Sequence, residues 1–180
     1  MSTIFMKLGD HKIKGGATAE IQGAGDGAGD NWFAINSVAW RAERGVGMQV
    51  GNEKNQDTGM STIGAVSVHK VMDAASEVLL SRMFVPGTEG DKTEIIFTKP
   101  DRAGKGVIVS LLIRLEHTRI CDYNVNAMAG TDPYETLVLA FTQITFKHWN
   151  EEEGGELIAG GDVTFDVATG KATSHCIQNV

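Results

Sequence analysis

The side chains of this 180-residue chain that could do chemistry are five histidines, two cysteines and a short acidic run. His11, His69, His117, His148 and His175 are dispersed, with no HxxxH or HxH pair to hold a metal ion between two imidazoles. Cys121 and Cys176 show neither metal-site nor redox-motif spacing, and neither lies in a local nucleophile signature. No GxSxG places a serine on a nucleophile elbow. Glu151–Glu153, followed by two glycines, reads as a solvated loop, while a carboxylate pair for acid–base work could still draw its partner from a distant strand.

Two glycine segments resemble phosphate loops only superficially. GAGDGAG at 23–29 would need a strand before it and a helix after it, and no helical pattern follows Asn31. Calcium-binding glycine repeats come in tandem, whereas this one occurs once, so it reads as a flexible surface hairpin. ATGKAT at 168–173 lacks the earlier glycine and the hydroxyl residue directly after lysine, and reads as a β-turn. The expectation is a protein with no catalytic, cofactor or metal site, and not an enzyme.

The elements around these residues predict a fold. Glycine is in excess at 22 residues and proline is scarce at three, which suits a β-rich chain with many turns. In Gly106–Ile120, Val107, Val109, Leu111, Ile113 and Leu115 alternate onto one face, with Ser110, Arg114 and Glu116 on the other. Thr93, Ile95 and Phe97 share a face of the preceding strand, and the KPDRAGKG segment between the two is a hairpin turn. Thr136–Trp149 reads as one strand whose phase flips near Thr142–Gln143, as a β-bulge would make it. Trp32–Ala42 is apolar on both faces at its start, and shorter strands are expected at Ile4–Leu8, Ala17–Ile21, Ile63–Val71 and Asp162–Val167.

One helix is expected. Asp73 suits an N-cap, Ala75, Val78, Leu79 and Met83 form the apolar stripe, and Pro86–Gly87 stop it. Leu80 and Phe84 widen that stripe, so the helix should be covered from more than one side. The fold class is therefore all-β: a compact antiparallel β-barrel with one α-helix, a single domain over residues 1–180. Residues 22–30 form a glycine-rich loop and 168–180 a C-terminal tail. Residues 44–62 form a long extended loop whose Val46, Met48, Val50 and Met60 a merely solvated loop would not need.

Charge and hydropathy narrow the partners. A net charge of −7 argues against nucleic acid, and no apolar run of 18 residues exists to insert in a membrane. The opening MSTIFMKLGDHKIKGG lacks the regions of a signal peptide, which predicts synthesis in the cytoplasm, where a disulfide is disfavoured. What remains is assembly with copies of itself. The apolar loop 44–62 and the over-wide helix face with Leu80 and Phe84 are the candidate halves of a contact between copies.

Lys70, Met72, Asp73, Ala74, Ala75 and Ser76, running into Leu79, resemble the haemolysin-coregulated protein (Hcp) family, tube subunits of bacterial type VI secretion systems. The shared pattern is a strand ending in a basic residue, then aspartate and small residues opening the helix. Glu77 departs from it, standing where many members have proline. Ala140–Phe146 is similar to the family's last core strand, and the likeness spans about residues 2–167. It implies hexameric rings stacking into a hollow tube, with sheath, spike and effector proteins as partners and secretion out of the cell. It assigns to residues 44–62 the reach to the next subunit. Two alternatives share the composition: the tube of another contractile, phage-tail-like injection system, and a monomeric barrel binding a small ligand.

Overall fold

β-Strand residues in alternation build most of this molecule, and one strand is long enough to serve two sheets. The computed structural model describes residues 3–11, 13, 21–22, 31–47, 56–57, 59–101, 106–152, 157–174 and 176. The chain opens with β1 (Thr3–Leu8), β2 (Ile21–Gln22), β3 (Trp32–Ile35) and β4 (Ser37–Ala39). Next come β5 (Ala42–Glu43), β6 (Val46–Gly47), β7 (Gln56–Asp57), β8 (Thr62–Ile63) and β9 (Val66–Val71). Helix α1 (Ser76–Phe84) precedes β10 (Asp91–Pro100), β11 (Val107–Asn126), β12 (Tyr134–Ala140) and β13 (Gln143–Glu151). β14 (Leu157–Ala159), β15 (Val163–Asp166) and β16 (Lys171–Ser174) follow.

The first half of β11 pairs with β10 and β13, and its second half pairs with β12. One sheet runs β16–β15–β13–β11–β10–β1–β3, and the other runs β11–β12–β9–β4. β3 and β4 are consecutive, separated by Asn36, so the circuit closes through the chain at that residue rather than through a ladder. The result is an antiparallel barrel made of two facing sheets that share two corners.

The β11 corner explains a difference from the expected strand Thr136–Trp149. This segment is two strands flanking Phe141–Thr142 rather than one bulged strand, and both pair with β11. Their partner turns at His117, which has φ 52°, and the Thr142 N–H donates to the Glu116 carbonyl at 3.0 Å. Gly90, at φ +78°, fits against this corner because a Cβ there would lie 2.8 Å from the His117 carbonyl carbon.

Between the sheets lies the main core. Met6, Leu8, Phe33, Ile35, Ile95, Ile113, Leu115 and Ile144 meet Val66, Val68, Leu137 and Leu139 from the opposite sheet. Phe5, Trp32, Ile96 and Val109 form a second cluster with Val107, Leu112 and Trp149. Trp32 and Phe33 are thus buried in different clusters, as an apolar run on both faces requires. The alternation expected over Val107–Leu115 holds only from Leu111 onward. Phe97 pairs with Leu111 and Thr98 with Val109, so Ser110 is an extra residue and turns Val107 and Val109 to the second cluster. Leu115→Ala is therefore expected to cost about 2–5 kcal/mol in urea unfolding. Leu111→Ala, at a half-buried position, should cost distinctly less.

Three further differences concern connections. Residues 44–62 are not a structureless loop: β5 pairs with β8 and β6 with β7, so the described part is a two-stranded ribbon. Trp32–Ala42 is divided at Asn36, where the chain passes between sheets. Part of the expected tail is β16, hairpinned to β15 through a Val167–Gly170 turn with Gly170 at φ +65°. Of the expected strand Ala17–Ile21, only Ile21 is described, and it starts β2, parallel to Val107–Ile108. Residues 23–30 of the glycine loop lie outside the described residues.

Candidate functional site

Helix α1 is held at both ends by ionic contacts. On the inward rows of β9 and β12, Val66 faces Leu139 and Val68 faces Leu137. The next pair is Lys70 with Glu135, whose side chains have 0% exposure. Lys70 Nζ donates to Glu135 Oε1 at 2.8 Å, Asp73 Oδ1 at 2.7 Å and the Val71 carbonyl at 2.9 Å. Ser76 Oγ donates to the same Glu135 oxygen at 2.9 Å and accepts the Asp73 N–H at 3.0 Å. Tyr123 donates its hydroxyl to Glu135 Oε2. Burial first, and then the bond to Glu135, raise the Tyr123 phenol far above its usual range, so it remains the donor. The Lys70 protons and both Glu135 oxygens thus find partners on β9, β11, β12 and the helix entrance.

Asp73 does not act as the expected N-cap. The helix starts at Ser76, and Asp73 closes the preceding turn by accepting the Ala75 N–H at 2.8 Å. At the far end, Arg82 grips Asp91 with bonds of 2.7, 2.8 and 3.1 Å, and His11 Nε2 lies 3.0 Å from the same carboxylate. Ala75 and Leu79 are buried in the core, but Leu80 and Phe84 lie one turn apart on the uncovered side. The expectation of cover from more than one side is corrected for the single chain. Phe84 is 75% and the adjoining Val85 72% exposed.

The ribbon carries the other expected residues. Val46 sits on β6 opposite Asp57 and is exposed. Met60 is 69% exposed, yet its methyl group rests on Gly170 of the β15–β16 turn. Met48 and Val50 lie outside the described residues. At the ribbon's base, the Gly64 N–H donates to the Arg41 carbonyl at 2.9 Å, and Trp40 packs against Phe146 with centroids 4.9 Å apart. Leu80 and Phe84 are brought together, as are the two sides of the ribbon, but the two groups occupy separate elements.

Sequence reading missed Val85 and a third exposed group, Val71, Met72, Val125, Met128 and Tyr134, around the β11–β12 connection. It also missed the role of Glu135. The signal was present: Val66–Val68–Lys70 and Leu139–Leu137–Glu135 are both period-two rows that end on a charge, and the charges are opposite.

A two-sheet β-barrel with a helix seated on a buried ion pair, a projecting ribbon and uncovered apolar residues defines a class of β-rich protein with surface left over for partners. A family model described as "Type VI secretion system effector, Hcp" matches residues 5–148. The chain belongs to the Hcp family of type VI secretion system proteins. A solved structure described as a type six secretion system protein superimposes with a TM-score of 0.77 at 20% identity, covering 96% of this chain and 100% of that one. Hcp1 from Salmonella typhimurium gives 0.66 at 14% identity, covering 96% and 99%. The secreted protein Hcp3 from Pseudomonas aeruginosa gives 0.53 at 19% identity, covering 92% and 98%. These likenesses are of fold. A search of curated sequences returns no match.

Proposed function

We propose that this chain is a non-enzymatic tube subunit: it forms six-membered rings that stack into a hollow tube and carry effector proteins out of the cell. The observation that carries the reading is the uncovered apolar face of α1, where Phe84 and Val85 project beside Leu80. Each such side chain contributes roughly 1.5–3 kcal/mol when fully buried, and part of that is lost to the cost of association. The described part of segment 44–62, with Val46 and Met60 exposed, supplies a second apolar surface on a different element. Two unlike surfaces on one chain suit the heterologous contact that closes a ring. Sheath and spike proteins are the further partners this role requires, and type VI export is the route.

Native mass spectrometry tests the assembly. A species near six times the 19.3 kDa chain is expected, and a clean monomer at tens of micromolar would overturn the reading. Phe84→Glu is expected to abolish that species while changing folding stability by no more than about 0.5 kcal/mol, because three-quarters of the residue is exposed in the single chain. Thermal unfolding of the variant, run beside its mass spectrum, checks both halves.

A further inference from the structure

Lys70 and Glu135 occupy a position that apolar pairs fill one and two steps earlier in the same rows, at Val68–Leu137 and Val66–Leu139. An apolar pair there would extend the core without the desolvation of two charges. Replacing a buried ion pair by apolar residues of similar size is often neutral or stabilising. Stability alone therefore does not account for this pair, and its geometry suggests another use.

We infer that the Lys70–Glu135 pair is a placement device for α1, selecting the one seating from which Leu80, Phe84 and Val85 can meet a neighbouring copy. The inference rests on the ring reading above. Apolar packing is non-directional, whereas this network has few satisfied arrangements. Glu135 Oε1 accepts from both Lys70 and Ser76, the first residue of the helix, and Glu135 Oε2 accepts from Tyr123 of β11. Lys70 in turn holds Asp73 and the Val71 carbonyl, which fixes the chain that enters the helix.

A helix slipped by one residue turns by about 100°. Such a slip would withdraw Ser76 from Glu135 and carry Leu80 and Phe84 off their face. Unmet polar groups at zero exposure penalise every such alternative. The helix has nine residues, and Arg82 on Asp91 steadies its far end. The Arg82 side chain is 23% exposed, so the fully buried entrance is the more restrictive of the two anchors. Lys70, Glu135 and Ser76 are positioning residues in this scheme and touch no partner.

The test is the double variant K70M/E135L of the full chain. Once Glu135 is gone, Tyr123 and Asp73 can turn to water, since both are part-exposed. Three quantities are measured: the urea midpoint, the dilution series of rings by native mass spectrometry, and hydrogen exchange of the helix amides. The expected result is a midpoint at or above that of the original chain, rings that dissociate at least tenfold more readily, and faster exchange across residues 76–84. Rings with unchanged dissociation would overturn the inference while leaving the ring reading intact. A midpoint lowered as far as in Lys70→Met alone would also overturn it, by showing a stability element. Should the double variant fail to fold, that too marks the pair as a stability element. Ser76→Ala, which keeps the Lys70–Glu135 contact but removes the hydroxyl that donates to Glu135 and accepts from the Asp73 N–H and from Lys70, is expected to weaken rings severalfold while lowering the midpoint less than Lys70→Met does; unaltered rings in this variant count against the inference. If the original chain itself forms no rings, both readings fall together.

Discussion

Lys70→Met lowers folding stability by about 3–5 kcal/mol, the expected cost of leaving one partner of a buried ion pair alone. Methionine matches the lysine stem in length, so volume is nearly conserved and the loss is that of the charge. Glu135 then keeps the donors Ser76 and Tyr123 but lacks a cation at zero exposure. Asp73, with its side chain about a third exposed, turns to water and contributes little to the loss. The reverse single variant, Glu135→Leu, should cost less. Lys70 retains Asp73 Oδ1 at 2.7 Å and the Val71 carbonyl at 2.9 Å, so its charge stays compensated. Urea unfolding of both variants reads the ordering directly. Equal costs, or none, would contradict a pair held away from water at the helix entrance.

Phe33→Ala should also cost about 3–5 kcal/mol, the usual range for truncating a large core aromatic. Phe33 has no exposure and sits on β3, opposite Met6 of β1, in the core shared by both sheets. Its ring lies 5.9 Å from Lys70 Nζ, so the cavity left by truncation would open beside a buried charge. Phe33→Leu, which keeps most of the volume, is expected to recover well over half of the loss. Thermal or urea unfolding distinguishes the two. A small effect of the alanine variant would mean that the sheets close over the gap.

Much of this was legible before any coordinates. The period-two rows of β10 and of β11 from Leu111 onward, the apolar stripe Ala75–Leu79 and the stop at Pro86–Gly87 are local patterns, and local patterns report local structure. The Lys70-to-Ser76 entry was legible as a family likeness, and its physical reason became visible only when Glu135 arrived from 65 residues away. The failures share one cause. The Ser110 bulge, the breaks at Asn36 and Phe141–Thr142, and the delayed start of α1 all depend on a partner segment that periodicity does not contain. The ribbon was missed for the same reason, because among the described residues its two sides pair with each other.

The candidate assembly residues divide in the same way. Leu80 and Phe84 were identifiable because four-residue spacing puts them on one helical face. Whether that face is covered was not, since a stripe that is too wide can be met by a second layer of the same chain or by nothing.

By itself the sequence determined the strand-rich class, the single expected helix, the absence of known catalytic signatures and the family to which the chain belongs. Alternation and caps are properties of neighbouring residues, and they survive being read one segment at a time. Only the tertiary structure decided that Lys70 would find Glu135, that β11 would turn a corner at His117, and that Leu80, Phe84 and Val85 would be left uncovered. Those outcomes depend on which segments meet across the barrel, and burial is a property of the meeting rather than of either segment alone.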